Sequence, residues 1–234
     1  MKSALLLTLL ICCSFVGKAQ QMTLSEWAEA AKTNIRLLPK YGYVQKTEAQ
    51  KNADADLVKA MLESFTTRRE ASEVLIDEGF SNLYSDTKIA MYRFNQAYLL
   101  DSTNSDIYWG FGAVYLTIGD YKNARIQYQE GLKVDPKSTH LLTDYATYFM
   151  GQSRAFEMID EESADTYMDS ALLYMLQSYD LDPLDQNTLY KLSIIYLSMD
   201  DCENAWKYYD ECVDTGGDPI EDGFTRELKR QCKR

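Results

Sequence analysis

The chain has 234 residues, 46% of them apolar, enough for one continuous hydrophobic core, and its 24 basic and 36 acidic residues leave a net charge of −12. That charge excludes nucleic acid as a partner and points to a solvated acidic exterior with Asp and Glu heading helices. There is one histidine and no CxxC, HExxH or glycine-rich phosphate loop, so neither an enzyme nor a cofactor or metal is expected.

At the N-terminus, Lys2 precedes an apolar run over residues 4–11, continued to Val16 and closed by Gly17-Lys18-Ala19. This reads as a secretory signal peptide, residues 1–19, cut after Ala19 to leave Gln20 first. The run falls short of the ~20 residues of a membrane span, and no later stretch approaches that length. Cys12 follows Ile11 and Cys13 follows Cys12, not the small residue that precedes a lipoprotein cysteine. The expected location is the bacterial periplasm or the cell exterior. Loss of residues 1–19 removes two lysines and no acid, leaving 22 basic against 36 acidic residues.

Residues 20–69 are expected to form an N-terminal helical cap. Ser25 can cap a helix carrying Trp27, Ala31 and Leu38, broken at Pro39 and Gly42. Thr47-Glu48-Ala49-Gln50 has capping-box spacing and opens a helix with Ala53, Leu57, Met61 and Phe65 on one face. Residues 34–44 are apolar and broken by Pro39 and Gly42. Either they belong to the cap, or they run as an extended strip into the groove of the repeats that follow.

Those repeats are read from paired positions. Ala90 and Phe94, Ala124 and Tyr128, Ala171 and Met175, and Ala205 and Tyr209 recur at intervals of 34, 47 and 34 residues. A second set runs Tyr108, Leu142, Leu189, then Phe111, Tyr145, Leu192, then Gly112, Ala146, Ser193, then Tyr115, Phe149, Tyr196. Self-similarity at this period means a solenoid whose units bury their apolar faces against each other. Within one unit, Tyr108-x-x-Phe111-Gly112-x-x-Tyr115, Gly119-Asp120-Tyr121, Ala124-x-x-x-Tyr128, Leu132 and Pro136 closely resemble the tetratricopeptide repeat, a helix-turn-helix of 34 residues. The resemblance covers residues 70–219 and implies an all-α solenoid of four units, at 70–102, 105–138, 139–185 and 186–219, with 220–234 as a C-terminal capping helix. In the first unit the turn near Ser85 and Asp86 is one residue short. The third unit carries 13 extra residues in its turn, either as a loop or as a projecting extension of both helices.

The resemblance also implies a function: an interaction module that binds protein or peptide and does no chemistry. In each clean unit, the residues one place beyond the packing stripe form a second stripe: Trp109, Ala113 and Leu116, then Thr143, Thr147 and Met150, then Tyr190, Ile194 and Leu197. In the family these positions line the inner groove. None of the nine is charged, which suits an extended, partly apolar peptide anchored on Trp109 and Tyr190. Ala113, Thr147 and Ile194 stand where the carboxylate-clamp subclass has asparagine, so an acidic chain end is not the expected ligand. The competing accounts are a groove filled by residues 34–44, a solenoid wound so tightly that these side chains pack together, and a structural protein that self-associates through its ends. A hydrolase built on carboxylates is the remaining alternative. His140, at the second position of a repeat helix, reads as a surface or groove residue.

Three cysteines follow the signal peptide. Cys202 and Cys212 share a helix ten residues apart, about 15 Å, too far for a disulfide that needs Cα atoms within ~7 Å. Cys212 takes the small buried position held elsewhere by Ala97, Gly131 and Ser178. A C-terminal helix running back antiparallel would bring Cys232 to Cys202, where an oxidising compartment would join them.

Overall fold

The computed structural model describes residues 22–234, and every regular element among them is helical. The expected signal peptide, its cleavage point, Cys12 and Cys13 lie outside the described residues.

The first helix, α1 (Leu24–Ala31), is capped by Thr23 and not by Ser25. The Thr23 hydroxyl accepts the Glu26 N–H at 3.3 Å, and the Glu26 carboxylate accepts the Thr23 N–H at 2.8 Å. Only Thr23 has a glutamate three residues on to complete that reciprocal pair. The helix stops at Ala31, well before Leu38. Residues Ile35–Leu37 and Pro39–Tyr43 form two 3-10 turns, with Lys40, Tyr41 and Tyr43 held at left-handed φ of 55°, 57° and 55°. Next comes α2 (Glu48–Ser64), opened by the Thr47 and Gln50 capping box.

Four antiparallel hairpins follow: α3 (Arg68–Asn82) with α4 (Thr87–Leu100), α5 (Asp106–Thr117) with α6 (Tyr121–Val134), α7 (Thr139–Phe156) with α8 (Glu161–Leu181), and α9 (Gln186–Ser198) with α10 (Cys202–Asp214). Their small residues are close-approach points. The Phe94 ring of α4 lies in a slot between Gly79 and Gly110, where added Cβ atoms would come within 2.4 and 2.3 Å of it. It meets Phe80 and Phe111 edge-on at 5.1 and 6.4 Å. Gly119 makes the α5–α6 turn at φ +79°, and Asp200 occupies the corresponding left-handed position at φ +57°.

Much of the acidity has a structural use. Asp86, Asp120, Asp160 and Asp201 each cap the second helix of a hairpin, accepting backbone N–H groups in its first turn. Asp101, Asp135 and Asp182 end those helices and accept the N–H two residues on, turning the chain into the next unit.

The 13 extra residues lengthen both helices of the third hairpin. The helices α7 and α8 have 18 and 21 residues, against 12 to 14 in α5, α6, α9 and α10. The two arms stay paired through Phe156 and Tyr167, whose rings lie 5.4 Å apart, and Met158 and Ile159 are exposed at the tip.

Successive first helices, α3, α5, α7 and α9, touch side by side, whereas no comparable contact joins successive second helices among the described residues. The first helices therefore line the inner, concave side. Residues 34–44 pack on the opposite side, against α4, so they do not fill the groove. Asn95, fully buried in α4, donates to the carbonyls of Arg36 and Leu38 at 2.9 and 3.0 Å and accepts the Tyr41 N–H at 3.2 Å. The buried Lys40 ammonium reaches Glu130 on α6. Burial pulls the Lys40 pKa down, but the hydrogen bonds to Glu130 and Tyr43, with the charge interactions of Tyr108 and Glu130, together outweigh it and leave the net shift upward. Replacing Asn95 with alanine should strand these backbone groups and cost about 2 kcal/mol, read as a lower urea midpoint with faster amide exchange at residues 34–44. A variant of unchanged stability would contradict that anchoring.

At the other end, α11 (Asp222–Gln231) runs back along the last hairpin. Leu228 is buried, Phe224 meets Tyr190 edge-on at 5.2 Å, and the Trp206 indole donates to the Cys232 carbonyl at 2.9 Å. Cys202 and Cys232 are bonded, with Cα atoms 5.3 Å apart. Cys212 is free and fully buried, and burial raises its thiol pKa.

Candidate functional site

Along the concave side the inward positions of the four first helices divide into closed and open stretches. Trp109 is held from three directions. Its ring lies 3.9 Å from Phe80 on α3 and stacks on His140 of α7 at 4.4 Å, and its Nε1 donates to Asp144 at 2.6 Å. Asp144 in turn faces Lys191 on α9 at 3.8 Å, and His140 meets Asp106 at 3.4 Å. One ladder of rings and charges thus crosses all four first helices.

The expected stripe is therefore not uniformly free. Ala113, Thr143 and Leu197 are buried. The Thr143 hydroxyl turns into the interior, where it shares hydrogen bonds of 3.0 and 3.2 Å with Ser178 and Thr188. Leu197 packs in a cluster with Leu228 of α11. Tyr190 is partly covered by Phe224, and Leu116 packs against the core. Close spacing of the first helices and the returning C-terminal helix account for these burials.

Thr147, Met150 and Ile194 are half-buried, Met150 packing in part against the core as Leu116 does. They converge on a cleft of about 1000 Å³ between the extended α7–α8 hairpin and the C-terminal half of α9. Met168 and Met199 add to its floor and rim. No three His, Cys, Asp or Glu side chains among the described residues gather closely enough to hold a metal ion.

Reading the stripe alone missed Phe80, Asp144 and Lys191. Asp144 and Lys191 lie 47 residues apart, the same step as the core positions, so their shared repeat position was visible. Phe80 was hidden by the one-residue shortening of the first turn, which shifts its register against Ala113.

The pKa of His140 is raised, first by its hydrogen bond to Asp106, with the Asp106, Asp144 and Asp185 charges adding to it and burial opposing. A raised value means that the folded state favours the imidazolium. The contribution is complete below the ordinary histidine value of about 6.5 and is lost as pH rises through the raised one. The side chain is 56% exposed, so the effect on stability is small. Following the His140 ring protons by NMR should show a pKa above the ordinary value that falls in Asp106→Asn; no change in that variant would contradict the pairing.

The geometry of the α5–α6 hairpin, with Gly112 against Tyr128 and Gly119 at the turn, has a direct counterpart among known sequences. Residues 105–138 match the tetratricopeptide repeat family. Solved structures of tetratricopeptide-type solenoids also align with the chain. One, from work on the functional characterisation of Pseudomonas aeruginosa PilF, is 20% identical with a TM-score of 0.53, covering 64% of this chain and 63% of that one. A crystal structure of MamA is 14% identical over 75% of this chain and 98% of its own, with a TM-score of 0.42. Another, of YrrB, described as a TPR protein with an unusual peptide-binding site, is 20% identical over 69% and 93%, with a TM-score of 0.31. At such identities PilF shows the fold and nothing finer. No curated protein matches the chain. The architecture is an all-α tetratricopeptide-type solenoid closed at both ends by its own helices, and no helix among the described residues is long and apolar enough to cross a membrane.

Proposed function

We propose that this protein is an exported interaction module that holds an extended polypeptide on the open part of its concave face and does no chemistry there. The observation that carries this reading is the cleft at Thr147, Met150 and Ile194: uncharged inward positions that the solenoid covers only in part and walls on one side with its longest hairpin. Peptide binding by first-helix positions is also what the repeat resemblance implies. The Cys202–Cys232 bond supports export, because such a link persists in oxidising compartments. Both ends of the solenoid are covered by their own chain, at Trp27 and at Leu228, which speaks against self-association by end stacking.

Trp109 and Tyr190 lie outside the lining of this cleft and do not serve in this reading as its anchors. Met150→Ala combined with Ile194→Ala should weaken capture of the native partner by at least ~2 kcal/mol, roughly 30-fold, with the fold retained. The control pair Lys122→Ala and Lys133→Ala, exposed on α6, should leave capture unchanged. Full capture by the folded concave variant would refute the assignment.

A further inference from the structure

The cleft has a charge that the fold does not use. Glu161, Asp165 and Asp169 follow one another at four-residue steps on α8, about 6 Å apart along its axis, and all three line the cleft. Glu157 joins them from the hairpin turn, and Arg154 is the single basic residue in the lining. Carboxylates four apart on a helix repel each other; Glu161 lies in the first turn of α8, where the helix dipole favours it, but Asp165 and Asp169 lie beyond that compensation. None of these four acids, nor Arg154, forms an ion pair or side-chain hydrogen bond among the described residues. This contrasts with the aspartates that cap helices and close turns elsewhere. Beneath the acids the floor is apolar and deformable: Met150, Met168 and Ile194, with Ala164 buried behind them.

We propose that the cleft selects a polypeptide segment in which an arginine or lysine stands beside an apolar side chain, the cation lying along the α8 carboxylates and its neighbour on the methionine floor. The proposal rests on the concave-face reading, since Met150 and Ile194 belong to both. Four acids against one arginine supply the charge complementarity. Their spread along three turns suits an elongated cationic side chain better than a compact ion, in keeping with the absence of any metal-holding group among the described residues. Methionines accommodate differently shaped apolar neighbours, so the cleft would require the cation and tolerate variation beside it.

The methionines also provide the test. With methyl-labelled Met and Ile, the full chain is titrated with two blocked tripeptides, leucine-arginine-leucine and leucine-glutamine-leucine. The arginine peptide should move the Met150, Met168 and Ile194 methyl resonances. Its dissociation constant should rise about tenfold in the glutamine peptide, and by a similar factor in Asp165→Asn with Asp169→Asn, both exposed positions whose neutralisation leaves the core untouched. Binding of the arginine peptide should weaken with added salt. If both peptides bind equally and move Ile194, cation selection is overturned while the concave-face reading stands. If neither moves any of these methyls at millimolar concentration, both fall.

Discussion

Truncating Phe94 to alanine should cost about 4 kcal/mol, in the middle of the range for buried aromatic residues. The ring is fully buried and seated between Gly79 on α3 and Gly110 on α5, so it joins the first hairpin to the second. Collapse around the missing ring is blocked by the backbones on either side, and the cavity term is therefore retained in full. Urea unfolding read by far-UV circular dichroism measures the loss. Leu173→Ala, at a position 56% exposed on α8, is the reference and should shift stability by no more than ~0.5 kcal/mol. Comparable losses in the two variants would contradict the slot.

The second large effect is expected at the C-terminal cap. Cys202→Ser or Cys232→Ser opens a loop of 30 residues, and the chain-entropy relation places the loss at about 3.6 kcal/mol. Leu228 and Phe224 tie α11 to the last hairpin through packing, so the helix should remain docked in part while its amide exchange accelerates. Reductant applied to the unaltered protein should reproduce the loss, and Cys212→Ala should not abolish the response, because Cys212 lies in the core unbonded. Stability indifferent to both Cys202→Ser and reductant would overturn the role given to this bond.

The repeats were legible because close helix packing demands small residues at fixed places. Gly112 faces Tyr128, and Ala124, Ala171 and Ala205 are all fully buried, so the 34- and 47-residue steps between them record the geometry directly. The lengthened third hairpin was legible for a similar reason: Phe156 and Tyr167 kept helical spacing on both flanks of the insertion, and they pair in the structure. Residues 34–44 were not legible. Their path uses left-handed backbone at Lys40, Tyr41, Gly42 and Tyr43, only one of them a glycine, and is held by main-chain bonds to Asn95, none of which leaves a hydrophobic period in the sequence. The division of the inner stripe was also hidden. Whether Thr143 faces the groove or turns inward to Ser178 depends on how closely α7, α8 and α9 approach, and the burial of Leu197 depends on a helix 30 residues further along the chain. Periodicity identifies which residues share a face; it does not tell how much of that face the neighbours cover.

Site-directed photo-crosslinking in the native cell tests the concave-face assignment most directly. A benzophenone side chain is placed singly at Thr147, Met150 and Ile194, and at Lys122 and Lys133 on the convex side. The account predicts that the three concave positions form adducts with a common polypeptide partner, lost in the Met150→Ala or Ile194→Ala background when the probe sits at a neighbouring concave position. The convex positions should give none. Adducts of equal yield from Lys122 and Lys133, or none from the three concave positions while the partner is still captured, would contradict it.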